Sequence, residues 1–274
     1  MPVKVLKADG RVEPFSRRKL VNSIVRCGLS DYEASRVASI VAQELPNEVS
    51  TLDIARKVEE VLRVENPLCA LRYSLRRAIM RLGPEGYPFE KYVARILRTL
   101  GYSTWINVVL EGRCVKHEVD VVAEKGGQRY MVECKYHNSP GSKVDVKVVL
   151  YVHSRLLDLE DFFDNAWIFT NTKLTADAAT YVECRGLLAT AWGYPQGAGI
   201  EELIEKAGVY PITVLPTLKE EARRKLLRNG IVTVGELASM EIDRLVEITG
   251  MKYEEARLVV REAKSMNMTT YRHV

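Results

Sequence analysis

The spacing of apolar positions changes twice along the chain and divides it into three parts. In residues 1–83 a short alternating stretch, VKVLKADG, turns at Asp9 and Gly10 into RVEPF and reads as a β-hairpin. Helical spacing follows. RRKLVNSIVRCG has Ser16 as its N-cap and stops at Gly28, and SDYEASRVASIVAQEL opens with a capping box of Ser30 and Glu33. STLDIARKVEEVLRVE begins at Ser50 and PLCALRYSLRRAIMRL runs from Pro67 to Leu82, after which GPEGYP forms a linker. This first part is mainly α.

In residues 84–215 helices and strands alternate. The helix FEKYVARILRTLG precedes strands in YSTWINVVLE, CVKHEVDVVAE and QRYMVECK. A helix through DVKVVLYVHSRLL, strand AWIFTN, helix TADAATYVECRG, strand LLATAW and helix GIEELIEKAG complete the segment. That order predicts an α/β core, a mixed central sheet flanked by helices. Residues 216–274 read as short helices broken at Gly230 and Gly250, an all-α part whose tail, NMTTYRHV, has no clear period.

A chain of 274 residues has the length for two or three such domains. No window approaches the roughly 20 apolar residues of a membrane span, and the N-terminus lacks the apolar core of a signal peptide. A cytoplasmic protein without a membrane partner is expected. The five cysteines are scattered without a CxxC pair, which suits free thiols better than a disulfide frame or a zinc site. Charge is unevenly spread. Residues 1–83 carry 15 basic and 10 acidic side chains, 84–215 carry 14 and 17, and 216–274 carry 11 and 9. An acidic centre suits a site for a divalent cation, whereas affinity for nucleic acid has to lean on the basic flanks.

The chemistry concentrates in HEVDVVAEKGGQRYMVECK, residues 117–135. With side chains alternating along a strand, Glu133 and Lys135 share one face of the second strand and Cys134 takes the other. The turn at Gly126 and Gly127 folds the first strand back, so that Asp120 meets Glu133 near one end of the hairpin. Two close carboxylates repel unless a proton or cation lies between them. Such oxygen ligands suit Mg²⁺ or Mn²⁺, and Lys135 beside them can orient or deprotonate a water. Glu118 shares the strand face of Asp120, as an outer ligand or an exposed charge. The loop YHNSPGSK that follows is a phosphate contact or a solvated loop.

This arrangement resembles the PD-(D/E)xK nuclease superfamily. The preceding GYPFEKYVARILRTLGY is similar to the first helix of Mrr-type restriction endonucleases and archaeal Holliday junction resolvases, and AWIFTNTKLTADAATYVECRGLLATAW to the second half of an Mrr-type domain. The resemblance implies a restriction endonuclease-like fold and metal-dependent cleavage of double-stranded or branched DNA. Glu90, Asp120, Glu133 and Lys135 would be catalytic, with Glu90, Asp120, Glu133 and the Cys134 carbonyl as metal ligands. Val119 stands where the family pattern usually has proline. A homodimer is expected, since cutting both strands needs two sites.

In residues 3–82, VLKADGRVEPFSRRKLVNSI, STLDIARKVEEVL and ALRYSLRRAI resemble the ATP-cone, a nucleotide-sensing module. That resemblance implies a purine nucleotide, ATP or dATP, as effector, held by Lys7, Arg11, Glu13, Lys19 and Thr51. Ala55 replaces the His of some cones. The C-terminal part resembles tandem helix-hairpin-helix modules, whose turn, here Ile248 to Met251, offers amides to a DNA phosphate. Protein interaction or dimerisation is the other role open to it. The combination implies a DNA endonuclease under nucleotide control, and its rival is a nucleotide-responsive DNA-binding regulator with an inactive nuclease fold.

Overall fold

The computed structural model describes residues 3–7, 10–139 and 141–271. It divides into two compact units, Met1–Arg76 and Arg77–Val274. No helix among the described residues is long and apolar enough to cross a membrane.

The first unit contains β1 (Lys4–Leu6), β2 (Val12–Pro14), α1 (Arg17–Val25), α2 (Asp31–Gln43), β3 (Glu48–Ser50), α3 (Thr51–Glu65) and the start of α4 (Pro67–Ile79). The helix starts follow the side chains that can accept orphan amides. Ser16 accepts from the Lys19 amide, Ser50 accepts from the Asp53 amide, and Ser30 with Glu33 forms a complete capping box. Ile24, Val37, Val41, Val58 and Leu62 pack in its core. β1 pairs antiparallel with β2, although Asp9 of the expected turn lies outside the described residues. β1 also pairs in parallel with β3, a strand absent from the sequence reading. Three residues following Pro46 and Asn47 are too few to display a period of two.

The second unit is built on α5 (Tyr87–Thr99), β4 (Ser103–Glu111), β5 (Lys116–Lys125), β6 (Gln128–Lys135), β7 (Lys143–Val144), α6 (Val146–Asp158), β8 (Asn165–Thr170), β9 (Lys173–Leu174), α7 (Ala176–Arg185), β10 (Leu188–Thr190) and α8 (Ile200–Ala207). Then come α9 (Glu220–Arg228), α10 (Val234–Ala238), α11 (Ile242–Thr249) and α12 (Tyr253–Tyr271). The mixed five-stranded sheet has the order β10-β8-β6-β5-β4. β4, β5 and β6 form an antiparallel meander, while β6, β8 and β10 run parallel. Parallel neighbours need crossovers of one hand, which puts α6 and α7 on the same face. Val149 and Val152 of α6 accordingly share a core with Ala178 and Val182 of α7 and with Met131, Ala166 and Ile168 of the sheet. α5 packs against β4, β5 and β6.

Two features depart from the expected pattern here. The two-residue strands β7 and β9 pair in a separate small sheet. α12 also continues to Tyr271 through much of the tail read as aperiodic, because no glycine or proline interrupts it after Tyr253. Between α11 and α12, Gly250 adopts φ +71°, a left-handed cap that suits glycine. Its amide donates to the Val246 carbonyl at 2.7 Å, and the Met251 amide to the Thr249 hydroxyl at 3.3 Å. Two amides of the expected phosphate-binding turn thus already have acceptors inside the chain.

Candidate active site

The site forms where the β5–β6 ladder comes apart. Pairing runs from Lys125↔Gln128 to Val121↔Val132 and stops there. Just beyond it, two residues along β6 and one along β5, the Cys134 amide donates to the Asp120 carboxylate at 2.7 Å. A carboxylate has taken the amide that a continuing ladder would have engaged.

The strand also changes phase at this point. Val119 and Val122, three residues apart, pack in one core with Val108 and Leu110 of β4, whereas regular alternation would put Val119 and Val122 on opposite faces. Asn107, which lies between the paired positions Ile106↔Val121 and Val108↔Val119, has φ +51° and is the one non-glycine with positive φ among the described residues. Asn is the residue type, after glycine, that tolerates this conformation best. Asp120 and Glu133 act on each other at the end of the hairpin where the β5–β6 pairing stops, on strands whose phase has changed, a feature that simple alternation does not predict.

The charges there act strongly on one another. Burial first, then the Glu133 charge, push the Asp120 carboxyl up to about 7, with Glu90 adding to the rise and the Cys134 amide and Lys135 opposing it. Glu90 is raised by burial, then by the charges of Glu118 and Glu133, against a hydrogen bond from Asn107. Asn107 Nδ2 donates both to Glu90 Oε2 at 3.2 Å and to Glu118 Oε1 at 3.3 Å, so one amide bridges α5 and β5. Burial alone would depress the Lys135 amine. The hydrogen bond to Glu133 and the charges of Glu133 and Asp120 outweigh it, and the amine ends above its ordinary range. Lys135 Nζ lies 2.6 Å from Glu133 Oε1, and a protonated amine there can orient a water but not take its proton.

Among the described residues no three His, Cys, Asp or Glu side chains are gathered into a ligand shell. The expected ligand set of Glu90, Asp120 and Glu133 is an electrostatic group here, with Glu90 held on Asn107, rather than a closed shell. The site nonetheless fits a hard divalent cation. Mg²⁺ needs only one or two carboxylates, with water completing its shell, and Asp120 and Glu133 bring two mutually repelling carboxyls together, a repulsion that a cation would relieve. Cys134 contributes no thiolate, since burial and then the Asp120 charge hold its thiol well above its usual range. The N–H and C=O of one strand residue point to the same side. With its amide on Asp120, the Cys134 carbonyl also faces the open gap.

The loop after Lys135 serves as an anchor. Tyr136 Oη accepts from the Gly83 amide at 2.7 Å and its ring lies 5.5 Å from that of Phe89, while Asn138 Nδ2 donates to the Pro84 carbonyl at 3.3 Å. Behind the site, Asp158 gathers the β4–β5 turn, accepting from the Cys114 amide at 2.7 Å, the Val115 amide at 3.2 Å and His117 Nε2 at 2.7 Å.

The sequence reading missed two residues that touch this site, Asn107 and Arg155. Each left a trace. Asn107 interrupts the β-branched run INVV, and Arg155 occupies an apolar-stripe position of α6 between Val152 and Leu159.

In the first unit, Glu13 Oε2 lies 3.5 Å from Lys7 Nζ and 3.1 Å from Lys19 Nζ. The Lys19 hydrogen bond, then the charges of Lys19 and Lys7, hold the Glu13 carboxyl below its ordinary range. Thr51, the first residue of α3, donates its hydroxyl to the Leu6 carbonyl at 3.2 Å. The Arg11 carbonyl accepts from the Lys7 amide at 2.8 Å, which sets Arg11 opposite Lys7 just beyond the last pair of β1 and β2, Leu6↔Val12. The hairpin and the starts of α1 and α3 are thus joined by hydrogen bonds and ion pairs through these side chains.

Comparison with known proteins divides the chain in the same order. An ATP cone domain matches residues 3–81, a restriction endonuclease domain residues 83–188, and an AF1548-like C-terminal domain residues 210–266. A protein of Archaeoglobus fulgidus described as uncharacterized is 43% identical over 175 residues, 64% of this chain and 99% of its own length. The crystal structure of AF1548, a protein of unknown function, is 41% identical in sequence, matches 68% of this chain and 100% of the AF1548 chain, and superposes with a TM-score of 0.59. The transcriptional repressor NrdR of Microcystis aeruginosa is 34% identical over 82 residues, 27% of this chain and 48% of its own length.

Proposed function

This chain belongs to the AF1548-like family, with an ATP cone ahead of its restriction endonuclease-like domain, and on that premise we propose that it is a divalent-metal-dependent DNA endonuclease under the control of a purine nucleotide. The observation that carries the reading is the placement of Asp120, held on the Cys134 amide, beside Glu133 and Lys135 at the open end of β5 and β6. A protein that only binds DNA has no use for such a charge cluster. The reading keeps three parts, a nucleotide-binding domain over 1–83, the nuclease core over 84–215 and a DNA-contact or dimerisation domain over 216–274.

Asp120, Glu133 and the Cys134 carbonyl would hold Mg²⁺ or Mn²⁺, with Glu90 reaching it from α5. When bound, the cation lowers the pKa of a water and screens negative charge on the phosphate. Lys135, protonated, orients that water towards phosphorus and neutralises charge as it builds on the phosphoryl oxygens. Asp120 orients the Cys134 backbone, and Asn107 bridges Glu90 and Glu118 and holds them near each other despite their repulsion. Double-stranded or branched DNA is the substrate class, and a homodimer would bring the second site needed for a double-strand cut. Nicking of plasmid or junction DNA that requires Mg²⁺ or Mn²⁺ and stops with chelator is the expected result. Tight DNA binding in chelator, with no cleavage once Mn²⁺ is added, contradicts it.

The similarity of the first 82 or so residues to a transcriptional repressor favours a second reading, a nucleotide-responsive DNA-binding regulator. Both readings assign ATP or dATP to Lys7, Arg11, Glu13, Lys19 and Thr51. Nucleotide phosphates would compete with Glu13 for Lys7 and Lys19, and the amino end of α3 adds amides and a favourable dipole. Calorimetry on the full chain is expected to show dATP or ATP binding that Lys7→Ala weakens about tenfold or more, the loss of one charge-assisted contact. Absence of heat with both nucleotides counts against the assignment.

A further inference from the structure

Arg155 projects from α6 into the place where β5 and β6 separate. It is 6% exposed, a costly position for a guanidinium unless it is paired. One terminal nitrogen donates to Glu133 Oε2 and the other to the Glu118 backbone carbonyl. Glu133 lies on β6 and Glu118 on β5, so a single planar group grips both strands beyond the last ladder pair, Val121↔Val132. Its Nε has no hydrogen-bond partner, and the Tyr151 ring lies 5.5 Å from the guanidinium carbon. Lys135 holds the other oxygen of Glu133 at 2.6 Å. The Glu133 carboxylate is therefore fixed from two sides, and the side facing away from solvent belongs to Arg155.

We propose that Arg155 is a positioning residue of the nuclease site: its two-armed grip on Glu133 and on the Glu118 carbonyl holds the gap between β5 and β6 open and keeps Glu133 aimed into it. The proposal rests on the cation-binding reading above. It concerns geometry, because Arg155 touches neither the water nor the phosphate of the proposed reaction. Only a planar fork reaches both acceptors at once; the single ammonium of lysine keeps the charge and loses one arm. Groups that orient a ligating carboxylate are worth about 10- to 100-fold in metal affinity.

The test measures Mn²⁺ binding to the full-length protein by calorimetry, without DNA, for the wild type, Arg155→Lys, Glu133→Gln and the double variant. Arg155→Lys is expected to weaken Mn²⁺ binding about tenfold or more. On the Glu133→Gln background it is expected to change binding by less than about twofold, since the two residues then act through one contact. Cleavage by Arg155→Lys should recover as Mn²⁺ is raised, a shift in metal requirement that general loosening of the fold would not mimic. Arg155→Gln, which retains a donor without the charge, is the second variant if the lysine protein does not fold. Wild-type binding with an unaffected Arg155→Lys overturns the role of Arg155 alone, as does an equal loss on the Glu133→Gln background. If the wild type binds no Mn²⁺, the inference and the reading beneath it fall together.

Discussion

Asp120→Ala and Lys135→Ala are each expected to lower Mg²⁺-dependent DNA cleavage by about three orders of magnitude or more while the protein stays folded. The two variants act differently. Asp120→Ala removes the carboxylate that shares the site with Glu133 and releases the Cys134 amide, so it should weaken both cation binding and turnover. Lys135→Ala leaves the carboxylates in place and removes the donor that orients water, so cation binding should survive and turnover should fall. Its side chain is 35% exposed and its loss leaves Glu133 still paired with Arg155, which is why folding tolerates it. Measuring Mn²⁺ affinity and cleavage rate side by side separates the two. Nicking by both variants at the wild-type rate would remove the catalytic assignment.

Phe89→Ala is expected to destabilise the second unit by about 3–5 kcal/mol, the cost of truncating a fully buried aromatic whose cavity cannot collapse. Phe89 has no exposed surface, sits on the first turn of α5 and meets the Tyr136 ring, so it joins the helix carrying Glu90 to the loop that follows Lys135. Tyr136 in turn holds the Gly83 amide. Urea unfolding monitored by fluorescence should show a lower midpoint with an unchanged slope. A loss under about 1 kcal/mol would mean that the pocket around Phe89 refills or that α5 does not depend on it. Glu90→Ala, one residue along, provides the contrast: its carboxylate is partly exposed and repelled by its neighbours, so removing it should cost little stability.

The parts of the structure with a strong period were legible in the sequence. β6 begins at Gln128 and ends at Lys135, as its alternation with Gly126 and Gly127 before it predicts, and the caps at Ser16, Ser30 and Ser50 follow from their own hydroxyls. The mixed sheet followed from the order of helical and alternating stretches. What the sequence could not supply was irregular. The phase slip at Asn107 and Val119 depends on a single left-handed residue whose effect is felt one strand away. Arg155 was hidden because a charged residue within an apolar stripe shows a partner is needed but not which one. Glu133, 22 residues earlier, becomes that partner only after α6 crosses over the sheet. The acids themselves were found by residue type and spacing, but their meeting place, a ladder that opens and hands an amide to Asp120, required the fold.

The convergence of Asp120 and Glu133 on one divalent ion is tested most directly by anomalous diffraction from crystals of the full chain soaked in Mn²⁺. A single strong peak between the Asp120 and Glu133 carboxylates, within reach of the Cys134 carbonyl, is the predicted result. Well-ordered carboxylates with no manganese between them, or with manganese bound only elsewhere, would contradict it.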